Sequence, residues 1–147
     1  MRITQESDYA LRIVTALAAR EGVVDAKSVS EETSVSLRFA LKILHKLVTG
    51  GLVRSFKGVN GGYSLALSPS EITMKDVIEL IDGPISICRC LTEDEVCTQS
   101  ADKRECLFHR IFSGLSASVA VKLGRIRISD IVTPDESFWA LLRELGV

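Results

Sequence analysis

Residues 36–67 constrain the fold more than any other part of this chain. The first part, residues 36–49, repeats apolar residues at helical spacing and carries basic and polar residues on the opposite face. The pair Gly50-Gly51 ends this pattern. Two short alternating runs follow, at 52–56 and 63–67, and the Asn-Gly-Gly between them predicts a β-hairpin. A basic amphipathic helix followed directly by a hairpin is the order of a winged helix-turn-helix.

The helix predicted over residues 36–49 has two unlike faces. The stripe expected to pack inward consists of Leu37, Ala40, Leu41, Leu44, Leu47 and Val48. The opposite face carries Arg38, Lys42, His45, Lys46 and Thr49. Ser36 stands where a side-chain oxygen often caps a helix start, so we expect it to act as the N-cap residue.

A run without acidic residues surrounds this helix. No Asp or Glu lies between Glu32 and Glu71, whereas five lysines and arginines do, in a chain whose net charge is −1. Such an asymmetry is typical of a protein that meets a polyanion with one face. The alternative is a solvated face whose balancing acids come from elsewhere in the fold. On charge alone the two interpretations are equally supported.

The remaining periodic segments are helical. Apolar spacing predicts helices over 7–20, 26–33 and 73–81, a long helix from Cys106 onward and an amphipathic tail over 135–145, with Asp25 capping the second helix. The predicted fold class is mainly α with a small β-hairpin wing, a winged helix-turn-helix plus a long dimerisation helix. We expect a DNA-binding domain over 1–82, a cysteine-rich loop over 83–105, and dimerisation and C-terminal helices over 106–147.

The long helix predicted from Cys106 has an apolar row formed by Leu107, Ile111, Leu115, Val119 and Leu123. Such a helix at the end of a small domain favours association with a second copy. A homodimer would also supply the paired recognition helices that read two half-sites of double-stranded DNA. The alternative is a helix that packs wholly on its own domain.

Several function classes find no support in the sequence. It contains no nucleotide-binding loop and no Ser/His/Asp arrangement, so we do not expect an enzyme. The first residues carry no signal-peptide pattern, and no run of about 20 apolar residues could cross a bilayer. The sequence thus predicts a cytoplasmic protein without membrane contact.

Four cysteines fall within nineteen residues and are followed by a histidine, in the pattern Cys88-x-Cys90-x6-Cys97-x8-Cys106-x2-His109. In a reducing compartment such a cluster indicates metal or redox chemistry rather than structural disulfides. Thiolates with an imidazole suit zinc and also suit iron–sulfur centres. The wide gaps favour a loop around an iron–sulfur centre over zinc. A thiol–disulfide switch is the third interpretation, and inert buried cysteines are the fourth.

Three stretches of the chain resemble one family. They are Met1-Arg2-Ile3-Thr4 with Asp8-Tyr9-Ala10-Leu11-Arg12, the wing Gly51-Leu52-Val53-Arg54-Ser55-Phe56-Lys57-Gly58-x-x-Gly61-Gly62-Tyr63, and the loop Cys90…Cys97…Cys106-x-x-His109. Together they look like the Rrf2 family of bacterial regulators, over residues 1 to about 132. The resemblance implies a homodimer of winged-helix heads with long dimerisation helices, and a cluster that controls which DNA is bound.

Carried over position by position, the resemblance makes Cys90, Cys97 and Cys106 the cysteine ligands of an iron–sulfur cluster. His109 matches the fourth ligand of the family's iron–sulfur cluster regulators. Asp8 matches the carboxylate that the family's nitric-oxide sensors supply from the partner subunit. Both candidates are present, so a 2Fe–2S and a 4Fe–4S centre both stay open.

Three features depart from the family pattern. The gaps of six and eight residues are longer, Cys88 is an additional thiol, and Lys57 stands where the family wing has arginine. Lysine lacks the bidentate fork of arginine, so a base or minor-groove contact at Lys57 should be weaker.

The residues predicted to contact DNA are Ser36, Arg38, Phe39, Lys42, Lys46, Lys57, Gly58, Asn60 and Gly61. Arg38 and Lys42 should face bases, while Lys46, Lys57 and the backbone of Gly61 should hold phosphates. The sequence therefore predicts a dimeric transcription regulator that senses iron–sulfur status, nitric oxide or redox state through a bound cluster. A cluster-free regulator of the same fold, controlled by a thiol switch or a partner protein, is the alternative. An electron carrier fits poorly, because it would have little use for a basic helix and wing.

Overall fold

The computed structural model describes residues 3–91 and 105–147 of the chain. In chain order the elements are α1 (Gln5–Ala18), α2 (Ala26–Thr33), α3 (Leu37–Thr49), β1 (Val53–Phe56), β2 (Gly62–Leu65), α4 (Met74–Asp82), a 3-10 turn (Arg89–Leu91), α5 (Leu107–Gly124), α6 (Ile128–Val132) and α7 (Glu136–Leu145). This order confirms the predicted fold class, a mainly helical chain with a hairpin wing after its third helix. Helix α6 has no counterpart among the predicted elements.

Two helix starts test the predicted caps. Asp25 caps α2 as predicted, because its Oδ1 accepts hydrogen bonds from the backbone N–H groups of Lys27 and Ser28, both at 3.0 Å. Ser36 is the N-cap residue of α3, as its position predicts, but its side chain makes no capping hydrogen bond. The carbonyl oxygen of Ser36 accepts the first helical bond from the N–H of Ala40 at 2.9 Å, and α3 begins on this backbone bond.

We call α1–α4 and the hairpin the head. Its core lies where α1 packs against α3, with Ile13 and Val14 of α1 fully buried. The residues of α3 that face this core are Ala40, Ile43, Leu44 and Leu47, all completely buried. Burial of this many aliphatic side chains is the main force that holds the head together, since each contributes about 1.5–3 kcal/mol over an exposed position.

The inward stripe of α3 is narrower than predicted. Leu37 and Leu41, both expected to pack inward, are 43% and 42% exposed. Successive residues of a helix are rotated by about 100°, so Leu41 lies that far around the axis from the buried Ala40. The core is centred between Ala40 and Ile43 instead, and the prediction for Leu37 and Leu41 is wrong.

The predicted hairpin is confirmed as an antiparallel pair, β1 and β2, in register from Val53 opposite Leu65 to Phe56 opposite Gly62. The loop before α2 extends this small sheet, because Val24 and Tyr63 exchange two backbone hydrogen bonds of 2.9 and 2.8 Å. A Cβ on Gly62 would clash with the carbonyl oxygen of Val24. Glycine is therefore required at the point where the wing joins the head.

The chain returns to the head after α5. The N–H of Met74 donates to the carbonyl oxygen of Ile126, and the N–H of Ile128 donates to that of Ile72, both at 2.9 Å. Ile128 is completely buried in the same core as α1 and α3. The division into 1–82, 83–105 and 106–147 stays a prediction. The contacts of Ile128 join the segment 106–147 to the segment 1–82.

Among the described residues, no helix is long and apolar enough to cross a membrane.

Candidate DNA-binding face and cysteine segment

The outer surface of α3 carries the residues predicted to meet DNA. We call Arg38, Lys42, His45, Lys46 and Thr49 the basic face. Its members point away from the core because they lie on the side of α3 opposite Ala40 and Leu47, which are buried. Arg38, Lys42 and His45 are exposed, and Lys46 is half-buried. The structure thus brings the predicted helical contacts to one surface.

A carboxylate from α1 lies against this surface. Glu6 forms ion pairs with Lys46, at 2.7 Å between Nζ and Oε1, and with Lys42, at 3.3 Å between Nζ and Oε2. The hydrogen bond from Lys46, followed by that from Lys42 and the charges of both lysines, lowers the pKa of Glu6, although partial burial opposes this. The acid-free run in the sequence therefore has an acid beside it in space. Sequence spacing gives no signal of this pairing, because Glu6 lies 36 residues before Lys42.

Phe39 lies at the edge of the basic face and is half exposed. Its ring meets that of Tyr9 edge-on, with 6.4 Å between the ring centroids. The hydroxyl of Tyr9 accepts a hydrogen bond from Nε2 of Gln5 at 2.7 Å, and the guanidinium of Arg12 lies 5.7 Å from the centre of its ring. Phe39 is thus held by α1 as well as by its own helix.

The wing turn, residues 57–61, is exposed at Lys57, Gly58, Val59 and Asn60. Gly58 has φ of 106°, which favours glycine, and the N–H of Gly61 donates to its carbonyl oxygen at 3.0 Å. A Cβ on Gly61 would lie 2.5 Å from the carbonyl oxygen of Phe56. Closure of the turn itself therefore requires glycine at 61. Arg54 of β1 is a further exposed cation of the wing that the predicted contact set omits.

The first cysteines follow α4, which ends at Gly83 with φ of 81°. We call residues 83–91 the linker. The N–H of Ile87 donates to Oγ of Ser116 at 3.0 Å, which attaches the linker to α5. Cys88 and Cys90 are half-buried, and the 3-10 turn that contains Cys90 contacts α5.

The other predicted ligands lie at the start of α5 and on α1. Cys106 occupies the N-cap position of α5, and His109 is half-buried in its first turn. Asp8 pairs with Arg12 on its own helix at 2.7 Å. Cys97 lies outside the described residues. Within 3–91 and 105–147, no three His, Cys, Asp or Glu side chains gather closely enough to hold a metal ion.

Helix α5 presents an apolar surface. Each of its 18 residues is described, and Ser116 alone among them is buried. The large apolar side chains left exposed on it are Leu107, Phe108, Ile111, Leu115 and Val121. Exposure of this many large apolar residues on one helix marks an interaction surface.

A helix-turn-helix with a basic third helix and a hairpin wing defines the class of winged-helix DNA-binding regulators. Comparison with known proteins gives the family. The profile described as "Rrf2: Iron-dependent Transcriptional regulator" matches residues 3–134. The HTH-type transcriptional regulator IscR of Photorhabdus laumondii is 33% identical over 138 residues, which cover 92% of this chain and 82% of that protein. The chain belongs to the Rrf2 family of transcriptional regulators.

Other relatives and solved structures agree with this membership. A putative rrf2-like regulator of Rhodobacter capsulatus is 29% identical over 149 residues, 97% of this chain and 99% of that protein. The structure of CymR, the global cysteine regulator of B. subtilis, superposes with a TM-score of 0.71 at 28% identity, covering 92% and 99% of the two chains. The structure of T. potens IscR, at 23% identity and a TM-score of 0.70 over 93% and 90%, shares the fold. These relatives are regulators of transcription rather than enzymes.

Proposed function

We propose that this chain acts as a homodimer, that it reads double-stranded DNA with the basic face and the wing, and that an iron–sulfur cluster on its cysteines controls this binding. The observation that carries the proposal is the exposed basic face of α3, held on a fully packed core and followed directly by the wing. Because a regulator of transcription works at the chromosome, we place its action in the bacterial cytoplasm.

In this proposal the DNA contacts divide into two kinds. Arg38 and Lys42, in the first half of α3, face base edges, with Ser36 and Phe39 alongside. The phosphate contacts come from the cations and backbone at the edges of the surface, namely Lys46, Lys57, Gly58, Asn60 and Gly61. Binding of purified protein to a randomised duplex pool, followed by sequencing, tests this. Enrichment of a two-fold symmetric site is the expected result, and recovery of no sequence at low salt would contradict it.

The homodimer rests on α5. A second copy of the exposed apolar side chains from Leu107 to Val121 would cover them through the same surface on each subunit. Dimerisation would bring two copies of the basic face to two half-sites about one helical turn of DNA apart. The parts 1–82, 83–105 and 106–147 then serve as DNA-binding head, ligand loop and dimer segment.

The cluster rests on the chemistry of the donor set. Cys90, Cys97 and Cys106 supply three thiolates, and His109 or the partner subunit's Asp8 supplies a fourth ligand, a combination that suits iron–sulfur centres. The contact between α5 and the 3-10 turn that holds Cys90 supports a site built between these two elements. When bound, such a centre supplies redox and ligand-exchange chemistry that thiols alone lack. The protein would bind it on the linker and on α5, next to the proposed dimer surface.

Anaerobic purification with visible absorption, iron and sulfide analysis tests the ligands. Cys90→Ser, Cys97→Ser and Cys106→Ser should each abolish the visible bands, because each removes a protein anchor of the cluster. Cys88→Ser is the matched control and should keep the spectrum. A colourless wild-type protein that holds stoichiometric zinc would overturn the cluster and leave the DNA-binding proposal intact.

The fourth ligand has its own experiment. If His109 is the ligand, His109→Ala should change the spectrum while Asp8→Ala preserves it. The reverse result would place the fourth ligand on the head of the partner subunit. The number of iron atoms per subunit then decides between the 2Fe–2S and 4Fe–4S centres that the sequence leaves open.

A cluster-free thiol switch is the second candidate. It is favoured by the similarity to CymR, one structure of which is described as an oxidised form from Staphylococcus aureus, at 22% identity and therefore as a likeness of fold. Cys88 and Cys90 are separated by one residue and are poor partners for each other, so a disulfide would need Cys97 or Cys106. Loss of DNA binding on oxidation of iron-free protein, reversed by dithiothreitol, would favour this candidate.

A further inference from the structure

The ion pairs of Glu6 lead to an inference about how DNA affinity is set. We propose that Glu6 is an affinity-determining residue that occupies Lys42 and Lys46 of the basic face and competes with DNA for both. The inference rests on the proposed function, because it takes α3 as the helix that meets DNA. It adds to that function an internal competitor located on α1.

The geometry puts one carboxylate between two cations. Both oxygens of Glu6 are used, Oε1 with Lys46 at 2.7 Å and Oε2 with Lys42 at 3.3 Å. The side chain of Glu6 is 25% exposed, while those of Lys42 and Lys46 are 56% and 39% exposed. The two ammonium groups are therefore accessible to solvent, and the less exposed carboxylate of Glu6 cancels part of their positive charge.

Glu6 is held in this position by the start of α1. Thr4 is the N-cap residue of this helix, and its Oγ1 accepts a hydrogen bond from the N–H of Ser7 at 3.2 Å. The same hydroxyl donates to Oδ1 of Asp82, at the end of α4, at 2.6 Å. The N–H of Thr4 donates to Oδ2 of Asp82 at 3.3 Å. These bonds attach the start of α1 to the end of α4. They thereby fix the backbone that carries Glu6 and keep its carboxylate beside the two lysines.

Electrostatics give the sign of the effect. Glu6, Lys42 and Lys46 together carry a net charge of +1, whereas the two lysines alone would carry +2. Glu6 is ionised at neutral pH, because its lysine partners lower its pKa and because a first-turn carboxylate is stabilised by the helix dipole. DNA that contacts these lysines must therefore approach a fixed negative charge, which weakens binding whatever the base sequence.

The experiment is a comparison of salt series. Binding of a duplex that carries the selected site is measured by fluorescence anisotropy between 50 and 300 mM NaCl, on the full-length wild-type protein and on Glu6→Gln. We expect Glu6→Gln to bind about tenfold more tightly at the lowest salt, and the slope of log K against log salt to steepen by ~0.9, because the surface gains one net positive charge. The gain should shrink as salt rises.

A matched control separates this effect from general charge. Glu144 forms an ion pair with Arg125 at 2.8 and 2.9 Å and lies on α7, far along the chain from α3. Glu144→Gln makes the same change of charge and should leave the slope as in wild type. Glu6→Ala is a second variant, and the salt slope does not depend on the active fraction, so a variant that folds only in part is still informative.

The outcomes distinguish the inference from the function beneath it. An unchanged slope in Glu6→Gln, together with weaker binding in Lys46→Ala, would overturn the role of Glu6 and keep α3 as the DNA-binding helix. Weaker binding in Glu6→Gln would show that Glu6 orients the lysines instead of competing with DNA, and would also overturn the inference. An unchanged slope in both Glu6→Gln and Lys46→Ala would overturn the proposed binding face itself.

Discussion

Helices α3 and α5 have similar apolar content in the sequence and opposite surroundings in the structure. In α3, four aliphatic residues are completely buried within the chain and the far side is charged. In α5, only Ser116 of 18 residues is buried, and large apolar side chains remain exposed along the helix. The chain thus buries one stripe of α3 by itself, whereas the large apolar side chains of α5 stay exposed among the described residues.

This difference separates two kinds of surface. A helix whose apolar stripe is buried within its own chain can present its polar side to a charged polymer, as we propose for the basic face of α3. A helix whose apolar side is exposed is stabilised when another apolar surface covers it, by about 25 cal/mol per Å² removed from water. We expect α3 to contribute mainly to the stability of the head and α5 mainly to assembly.

The largest expected difference between the two helices is in the free energy of unfolding after the same substitution, leucine to alanine. Leu44→Ala in α3 removes a completely buried side chain and should lower the free energy of unfolding by about 2–5 kcal/mol. Leu115→Ala in α5 removes a side chain that is 50% exposed in one chain. Its unfolding at concentrations low enough to separate subunits should match that of wild type within about 0.5 kcal/mol. Equal losses in the two variants, measured by urea unfolding, would mean that α5 is already packed within one chain.

A charge on α5 should have the next largest effect. Leu115→Glu would bury a carboxylate in the proposed dimer surface and should weaken association about 100-fold or more, giving monomers or insoluble protein. Sedimentation velocity at several concentrations measures this. Ser113→Glu, at an exposed polar position about 160° around the same helix from Leu115, tests whether any added charge suffices. A wild-type protein that sediments as a monomer at micromolar concentration would contradict the dimer.

The basic face should respond in two different ways. Arg38→Ala should relax the preference at one base position at a cost of about 1–3 kcal/mol, because a base contact is lost. Lys46→Ala should weaken binding to all sequences alike and reduce the salt slope by about 1, because a phosphate contact is lost. Competition binding with point-substituted duplexes measures both. Identical sequence profiles in the two variants would remove the distinction between base and phosphate contacts.

The smallest expected effect is on the pH dependence of stability. The pKa of Glu6 is lowered from 4.5 by its lysine partners, so its stabilisation is fully present above that pH and is lost as the pH falls through the lowered value. Wild type should therefore exceed Glu6→Gln in stability at pH 7 by about 1 kcal/mol or less, and the difference should shrink as the pH falls below 4.5. Thermal unfolding across this range checks the convergence. A difference that persists at low pH would point to packing rather than charge.

The order of elements was within reach of the sequence because each depends on local pattern. The period of the apolar residues, the Gly50-Gly51 stop and the glycines of the wing are all short-range signals, and they predict α3 and the hairpin correctly. The basic face follows from the same periodicity. These features can be predicted without knowing which elements pack together.

Features set by tertiary packing were not within reach. Leu37 and Leu41 have the same side chain as Leu44, and only the positions of the elements packed against α3 decide that they lie outside the core. Glu6 meets Lys42 because α1 packs on α3, and no spacing in the sequence records that contact. Helix α6 has five residues, too few to produce a clear period.

The backbone pairing of residues 72–74 with 126–128 fixes one end of α5 to the core of the head. From that end α5 extends for about 27 Å at 1.5 Å per residue. A rotation of α5 about that end by about 5° would move its opposite tip by about 2 Å. That tip carries Cys106 and His109. A small rotation about the end next to the head would therefore displace Cys106 and His109 more than the rest of α5.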